Sequence, residues 1–274
     1  MITAWLIYDD EGAKRNADYI ALHKEIGISQ GISFVLKRAE DLLQNIPNEH
    51  PDFAIVRAIC PTLSKRLEED GILIFNPAFV SEICNDKGKT IEYVAEKTEV
   101  PVIPTERFAA GELTESLLAA HPDSVVKAVD GHGGTQVFRS EKAIAEIRRG
   151  LGDSDFIIQP FIKCGGRDVR VYVIGKEIVG AVERTSPDGF KSNYSQGGAV
   201  CLYSLTEREK NFVRQICEVF SFGMVGIDFI IDETGAFVLN EIEDVVGARM
   251  LYACCPEIDL LGKYFSYIRS VLAD

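Results

Sequence analysis

The chain has 274 residues, 46% of them apolar, which is enough for ordinary packed cores and, at about 150 residues per domain, for nearly two domains; disorder, collagen and a small stapled scaffold are excluded. Its 29 Lys+Arg against 42 Asp+Glu leave a net charge of −13, which repels phosphate backbones and anionic lipid over most of the surface, so neither a nucleic acid nor a membrane is expected as a partner. Any polyanion must be held in a local basic site inside an acidic body.

The opening MITAWLIYDDEG meets acid within nine residues and has no cationic leader, and no segment reaches the roughly 18 uncharged apolar residues of a spanning helix, so the chain reads as soluble and cytoplasmic. The first 80 or so residues alternate β-like and helical runs: ITAWLIY, an amphipathic stretch through Ile26, ISFVLK, RAEDLLQ, FAIVRA, SKRLEED and ILIF. That alternation predicts β-α-β crossovers and a small parallel sheet. No G-x-G-x-x-G follows the first strand, so a dinucleotide-binding version of the sheet has no support. Asn85-Asp86 is placed to cap a helix DKGKTIEYVAEKT that stops before Val100-Pro101, and Pro104 marks a first boundary.

From residue 122 the pattern changes to α+β. DSVVKAV is a predicted strand, DGHGGT a glycine-rich loop, QVFR a second strand, and SEKAIAEIRRGL a helix with Ser140 as its cap. DFIIQPFI is a strand with an irregular exit, followed by RDVRVYVIG and EIVGAVERT around a turn at Gly175-Lys176 and by the polar loop SPDGFKSNYSQGGAV. A helix (LTEREKNFVRQICEVFSF), a hairpin (VGIDFIID and AFVLNEIED) and a helix (DLLGKYFSYIRSVL) close the chain. Seven scattered Cys without C-x-x-C and four His without ligand spacing argue against a disulfide framework and a His/Cys metal centre.

Three groups of residues carry chemistry. If the hairpin turns through Asp232 to Gly235, Ile231 pairs with Ala236 and Asp228 faces Leu239. Asp228, Glu241 and Glu243 then share one side, with Val238 and Ile242 on the core side. Such a carboxylate trio suits a hard divalent cation; a solvated acidic strand end is the competing reading. The loop Asp130 to Thr135 can bring glycine backbone N–H groups to a phosphate, although it lacks the G-K-[ST] ending of a Walker loop, and a plain hairpin turn competes. Lys127, in the apolar strand VVKAV, must find an anion or snorkel to water. Residues 163–191 hold six bases and four acids, net +2, while residues 205–274 hold six bases and twelve acids, net −6. Cations for phosphates beside carboxylates for a metal suit a magnesium nucleotide, and solvated charge on a hairpin is the alternative. Asp168 and Arg170 share a strand face, so part of this charge is expected to be paired.

In this order the motifs resemble the ATP-grasp superfamily, most of all its RimK-like carboxylate–amine ligases. The resemblance runs from Asp86-Lys87 through VVKAVDGHGGTQVF, IIQPFIKCGGRDVRVYVIGKEIVGAVERT, GFKSNYSQGG, VGIDFI and VLNEIE. The glycine loop is similar to that of prokaryotic glutathione synthetases, and GRDVRVYVIG to that of lysine-biosynthesis ligases. The resemblance implies a small α/β pre-ATP-grasp domain over 1–85, a linker helix and connection over 86–121, and α+β ATP-grasp subdomains over 122–163 and 164–274.

By the same resemblance, Lys87 and Lys127 hold ATP phosphates with Gly131, Gly133 and Gly134. Gln159, Phe161 and Ile162 form the adenine hinge, Asp168 meets the ribose, and Lys191, Ser192 and Asn193 contact ATP. Arg170 and, more weakly, Arg184 lie near the transferred groups, and Asp228, Glu241 and Glu243 take magnesium, two ions or manganese in their place. Three departures stand out: Pro160 where relatives often have Glu, Glu243 where they have Asn, and Asp244 to Arg249 where they have S-P-G. The implied activity joins a carboxylate to an amine (amino acid, peptide or carrier-protein tail) through an acyl phosphate, releasing ADP and phosphate. A phosphotransferase and a nucleotide-binding module without turnover are the alternatives. Arg57 and Arg249 read either as substrate-carboxylate anchors or as ordinary ion-pairing residues, and the acid, the amine and a homo-oligomeric state stay open.

Overall fold

The computed structural model describes residues 1–185 and 199–273. Lys191, Ser192 and Asn193, with most of their loop, lie outside the described residues.

The first third builds the expected parallel sheet. β1 (Ile2–Tyr8) is followed by α1 (Asp10–Arg15) and α2 (Ala17–Ser29), β2 (Ile32–Arg38) by α3 (Ala39–Gln44), and β3 (Phe53–Val56) by α4 (Pro61–Glu69) and the two-residue β4 (Ile74–Phe75). β1 pairs in parallel with β2 and β3, and β3 with β4, giving the order β2-β1-β3-β4. β3 is buried along its whole length and β1 from Ala4 onward, as strands covered on both faces require.

Two helices lead out, α5 (Ala78–Cys84) and α6 (Lys87–Lys97), the latter capped by Asp86, whose carboxylate accepts from the Lys89 N–H at 3.0 Å. β5 (Glu106–Phe108) lies inside the expected connection yet pairs with β8, so that segment contributes a strand to the second sheet. After α7 (Glu115–Ala120), this sheet adds β6 (Ser124–Ala128) and β7 (Val137–Arg139), then α8 (Ile144–Leu151) and β8 (Phe156–Pro160), in the antiparallel order β5-β8-β6-β7. The helix expected from Ser140 starts later, with Ala143 at its N-cap, because the Ser140 hydroxyl is used elsewhere: it accepts from the Ser124 N–H at 3.1 Å.

The third sheet contains β9 (Arg167–Ile174), β10 (Glu177–Thr185), β11 (Ala199–Leu202), β12 (Met224–Ile231) and β13 (Phe237–Glu243), all antiparallel, in the order β11-β10-β9-β12-β13. α9 (Glu207–Val219) opens with a capping box in which Thr206 and Glu209 bond each other's backbone N–H. It buries Val213, Ile216 and Cys217 against Val171, Val225 and Phe229 on one face of the sheet. α10 (Arg249–Cys254) and α11 (Leu260–Ala273) fold back under the opposite face, where Tyr264 and Phe265 join Phe34, Phe53 and Phe75 of the first sheet in one aromatic core. That shared core fixes the parallel sheet against the third sheet.

Candidate active site

The β12–β13 connection is one residue longer than the assumed turn. Ile231 pairs with Phe237, not Ala236, and Phe229 with Leu239. The Asp232 carboxylate accepts from the Thr234 and Ala236 N–H groups at 2.8 and 2.9 Å and stabilises the five-residue connection. Left alone, this shift would turn Glu241 and Glu243 away from Asp228. A bulge restores the parity: the register slips between Asp228 and Phe229, so Asp228 pairs with Glu241 and Gly226 with Glu243. Leu239 therefore enters the core opposite Phe229, whereas Val238 is only half-buried, and the two exchange the places expected of them.

The slip adds Asn240 to the working face. Lys127 of β6 donates to Asn240 Oδ1 at 2.9 Å, and Lys87 at the start of α6 lies 3.4 Å from Glu241 Oε2 while also donating to the Gly131 carbonyl. The two lysines thus join the second sheet and α6 to β13 across a cleft enclosing about 960 Å³, open solvent at its mouth included. Gly131, Gly133 and Gly134 line the cleft; Gly133 and Gly134 have φ of 63° and 69°, a region that side chains disfavour.

Gln159, Phe161 and Ile162 line the same cleft where β8 ends. Gln159 is buried and donates to Thr105 Oγ1 at 2.8 Å, while its Oε1 has no hydrogen-bond partner among the described residues. The Arg139 guanidinium stacks 3.8 Å from the centre of the Phe161 ring, a contact the sequence did not reveal. Cys164, Asp168 and Arg184 complete the far end.

Arg170, Asp228 and Glu243 stand outside the cleft lining, in a layer beside it. Strand pairing aligns Arg184 with Asp168 and Asp228 with Arg170. Arg170 grips both Asp228 oxygens at 2.7 Å each and Glu243 Oε2 at 2.6 Å. Arg184 grips both Asp168 oxygens at 2.6 and 2.7 Å and also reaches Asp228 Oδ2 at 2.6 Å. The charge shared by Asp168 and Arg170 is paired as expected, but each with a residue of a neighbouring strand and not with the other.

These pairings set the ionisation. Burial works to raise the Asp228 carboxyl, but Arg170 and Arg184 outweigh it and hold the group down to about 2. Burial prevails at Asp168, pushed up to about 6 because its partner Arg184 is shared with Asp228, and at Glu243, which is also raised. Glu241 is lowered, Lys87 overcoming its burial. Lys127 is pulled down to about 8, first by burial, with Lys87 adding to it against the pull of Glu241.

The donor chemistry of Glu241 and Glu243 fits a hard divalent cation, since each contributes carboxylate oxygen and, among the described residues, each is engaged by a cation through only one of its two oxygens. Asp228 fits less well, because guanidinium groups occupy both of its oxygens. Among the described residues Asp228, Glu241 and Glu243 do not form a ready-made group of three carboxylates around one point, Asp228 being turned to the two arginines.

The RimK-like ATP-grasp domain family matches residues 85–268. The "Uncharacterized protein MG011 homolog" of Mycoplasma pneumoniae is 30% identical over 190 residues, 68% of this chain and 64% of that one. Beta-citrylglutamate synthase B of Homo sapiens is 29% identical over 241 residues, 81% of this chain and 62% of that one. The chain thus spans a little under two thirds of the length of these curated relatives. A solved D-cycloserine synthetase superposes over 98% of this chain and 99% of its own with a TM-score of 0.78 at 17% identity, a likeness of fold. With the family matched across all of the second and third sheets and across both lysines, the glycine loop and the carboxylate strand, the chain belongs to the RimK-like ATP-grasp family.

Proposed function

We propose that this protein is an ATP-dependent carboxylate–amine ligase that works through an acyl phosphate and releases ADP and phosphate. The observation that carries the reading is the pair of lysines spanning the cleft, Lys127 to Asn240 and Lys87 to Glu241, which sets phosphate-binding cations beside the carboxylates of β13. A carboxylate is a poor acylating agent because its leaving group would be oxide. Transfer of the terminal phosphoryl group forms a new P–O bond to the acid and breaks the one to ADP. The amine then attacks the acyl carbon, the C–O bond to phosphate breaks, and the nitrogen loses a proton.

No nucleophilic side chain is needed. The chain's task is alignment and charge stabilisation. The glycine loop, Lys87 and Lys127 hold phosphates, Gln159 and Phe161 border the base, and Asp168 lies at the ribose end. Glu241 and Glu243 would hold magnesium, which supplies charge neutralisation on the phosphates; two ions is the number the family resemblance implies. Arg170 and Arg184 stabilise charge on the transferring group from fixed positions. Lys191, Ser192 and Asn193 keep their proposed contact with ATP. The name of the human relative, a citrylglutamate synthase, supports an amino-acid acceptor.

A screen of acids against amino acids and short peptides, read by ADP release and product mass, tests this reading. An amide product and hydroxylamine trapping of the acyl phosphate are expected. A stable phosphoester product would identify a phosphotransferase instead, and tight ATP binding without ADP across the panel would identify a binding module.

A further inference from the structure

β13, which carries Glu241 and Glu243, is the last strand of its sheet, with β12 as its neighbour. Beyond the bulge the ladder between them has three pairs, Asp228–Glu241, Ile227–Ile242 and Gly226–Glu243, and then ends, while β12 runs back to Met224 against β9. Both carboxylates therefore sit in the last rungs of an edge strand whose register has already slipped once. A further slip of one residue would turn both to the other face of the sheet.

Asn76, which follows β4 of the parallel sheet, closes that end. It is 5% exposed, and its carboxamide is used on both sides: Nδ2 donates to the Met224 carbonyl at 3.0 Å and to the Asp244 carbonyl at 2.8 Å, and Oδ1 accepts from the Gly223 N–H at 2.7 Å. One amide thus serves as an extra rung between the start of β12 and the residue after β13, with an N–H for each strand's carbonyl. The pattern fixes which end of the amide faces which group, and an ionised Asp could not replace it, having no donor for the two carbonyls. The approach is close: a Cβ on Gly223 would meet Asn76 Oδ1 at 3.0 Å and Phe75 Cβ at 3.2 Å.

A second tie lies one helix further on. Asn85, which ends α5, donates to Asp244 Oδ2 at 3.1 Å and to the Ser81 carbonyl at 2.8 Å. Two residues later Lys87 meets Glu241 Oε2 at 3.4 Å. The junction between α5 and α6 thus follows β13 from Glu241 to Asp244, and Asn76 completes the grip on the end of the strand. Asn76 precedes residues 85–268, the span of the family match, so this hold on the carboxylate strand comes from the parallel sheet. We propose that Asn76, supported by Asn85, is the positioning residue of the metal site: it fixes the open end of the β12–β13 pair and so keeps Glu241 and Glu243 on the face where they would hold magnesium. The inference rests on the ligase reading for the role of those two carboxylates, and adds that they are set in place by a residue that touches neither metal nor substrate.

Mn2+ is the probe, titrated into the full chain with the non-hydrolysable analogue AMP-PNP present. Its binding is read by water-proton relaxation enhancement, which separates protein-bound Mn2+ from Mn2+ held by free nucleotide. Asn76→Ala and the isosteric Asn76→Asp should each weaken Mn2+ binding by about 10- to 100-fold, with ADP binding in EDTA within about twofold of wild type. In the ADP-release assay the apparent magnesium constant should rise by the same factor, while KM for ATP at saturating magnesium stays within about twofold. Hydrogen exchange should quicken in residues 237–247 and not in β8.

Mn2+ binding within about twofold of wild type in a folded Asn76 variant overturns the assignment, and so does an equal loss of ADP binding, which marks a general loosening of the cleft. Asn85→Ala, at a half-buried position, should weaken Mn2+ binding about threefold and carries the test if neither Asn76 variant folds; unchanged binding there overturns the assignment as well. The two readings fail in different proteins. Wild type that binds no Mn2+ with AMP-PNP present removes the metal reading, and with it the task given to Asn76. Wild type and variants that bind Mn2+ alike leave the metal reading standing and remove only the positioning.

Discussion

The two walls of the cleft handle positive charge in opposite ways. On the wall built from the second sheet, Lys127 hydrogen-bonds, among the described residues, only a neutral amide, Asn240, and burial outweighs the pull of Glu241 on its charge. On the side built from β9, β10 and β12, Arg184 in the cleft lining and Arg170 in the layer behind it are engaged by Asp168, Asp228 and Glu243. The difference separates two tasks that sequence alone merges under the word basic. A lysine facing a neutral partner is ready to bind phosphate, because an incoming anion relieves its desolvation. An arginine locked between carboxylates is already oriented and costs little further ordering, but it must share its partners with whatever enters.

The contrast breaks most directly at the carboxylates. Glu241→Gln should lower turnover by about 10³-fold or more with Tm within about 2 °C of wild type, since Glu241 faces the cleft and Lys87, its ion-pair partner among the described residues, also bonds the Gly131 carbonyl. Turnover assay and calorimetry on one preparation check both halves, and retained activity removes the metal assignment. Asp228→Asn should act chiefly on stability. It leaves two buried guanidinium groups short of a shared counter-charge, a loss of about 3–5 kcal/mol in urea unfolding. If that variant loses less than about 1 kcal/mol, Asp228 is not the anchor of the arginine wall and its role as a metal ligand regains ground.

How far the sequence carried this can be seen residue by residue. Alternating runs and turn residues were sufficient for the parallel sheet and the antiparallel hairpins, because periodicity of two and capping by Asp86 are local properties. The shared face of Asp228, Glu241 and Glu243 was legible in outcome but not in cause: the turn was one residue longer than assumed and the bulge at Asn240 cancelled the difference. A bulge depends on which backbone groups the partner strand offers, so no local pattern announces it; the polar Asn240 between Leu239 and Glu241 was the one available sign. Ser140 looked like a helix cap and instead bonds the backbone of β6, a competition decided by sheet formation. The orientation of Arg170 toward Asp228, away from its strand neighbour Asp168, likewise follows from which strands lie side by side.

The lysine wall gives the next test. Lys127→Met should weaken ATP binding about 10²-fold in the presence of magnesium without lowering stability, because the half-buried ammonium it removes has, among the described residues, only Asn240 as a hydrogen-bond partner. Isothermal titration and urea unfolding read the two effects. A stability loss with unchanged ATP affinity would make the Lys127–Asn240 link a structural tie between sheets.

The smallest effect is a matter of pH. Burial brings Lys127 down to about 8, so the ammonium that attracts phosphate is lost over a range where an ordinary lysine stays charged. The phosphate groups have shed their last proton near pH 6, so their charge is constant above pH 7.5 or so. ATP affinity should therefore fall up to about tenfold between roughly pH 7.5 and 9, and the fall should vanish in Lys127→Met. The sign for folding is the opposite. With its folded pKa depressed, Lys127 binds fewer protons in the native state than in the unfolded chain. Its contribution to stability is fully present above the unfolded value of 10.5 and is lost as pH falls through about 8. Relative to Lys127→Met, wild-type stability should thus rise from pH 8 toward 10 while its hold on ATP declines. Opposite slopes of this kind belong to a binding cation kept partly unpaired; parallel slopes would place Lys127 with the neutralised arginines across the cleft.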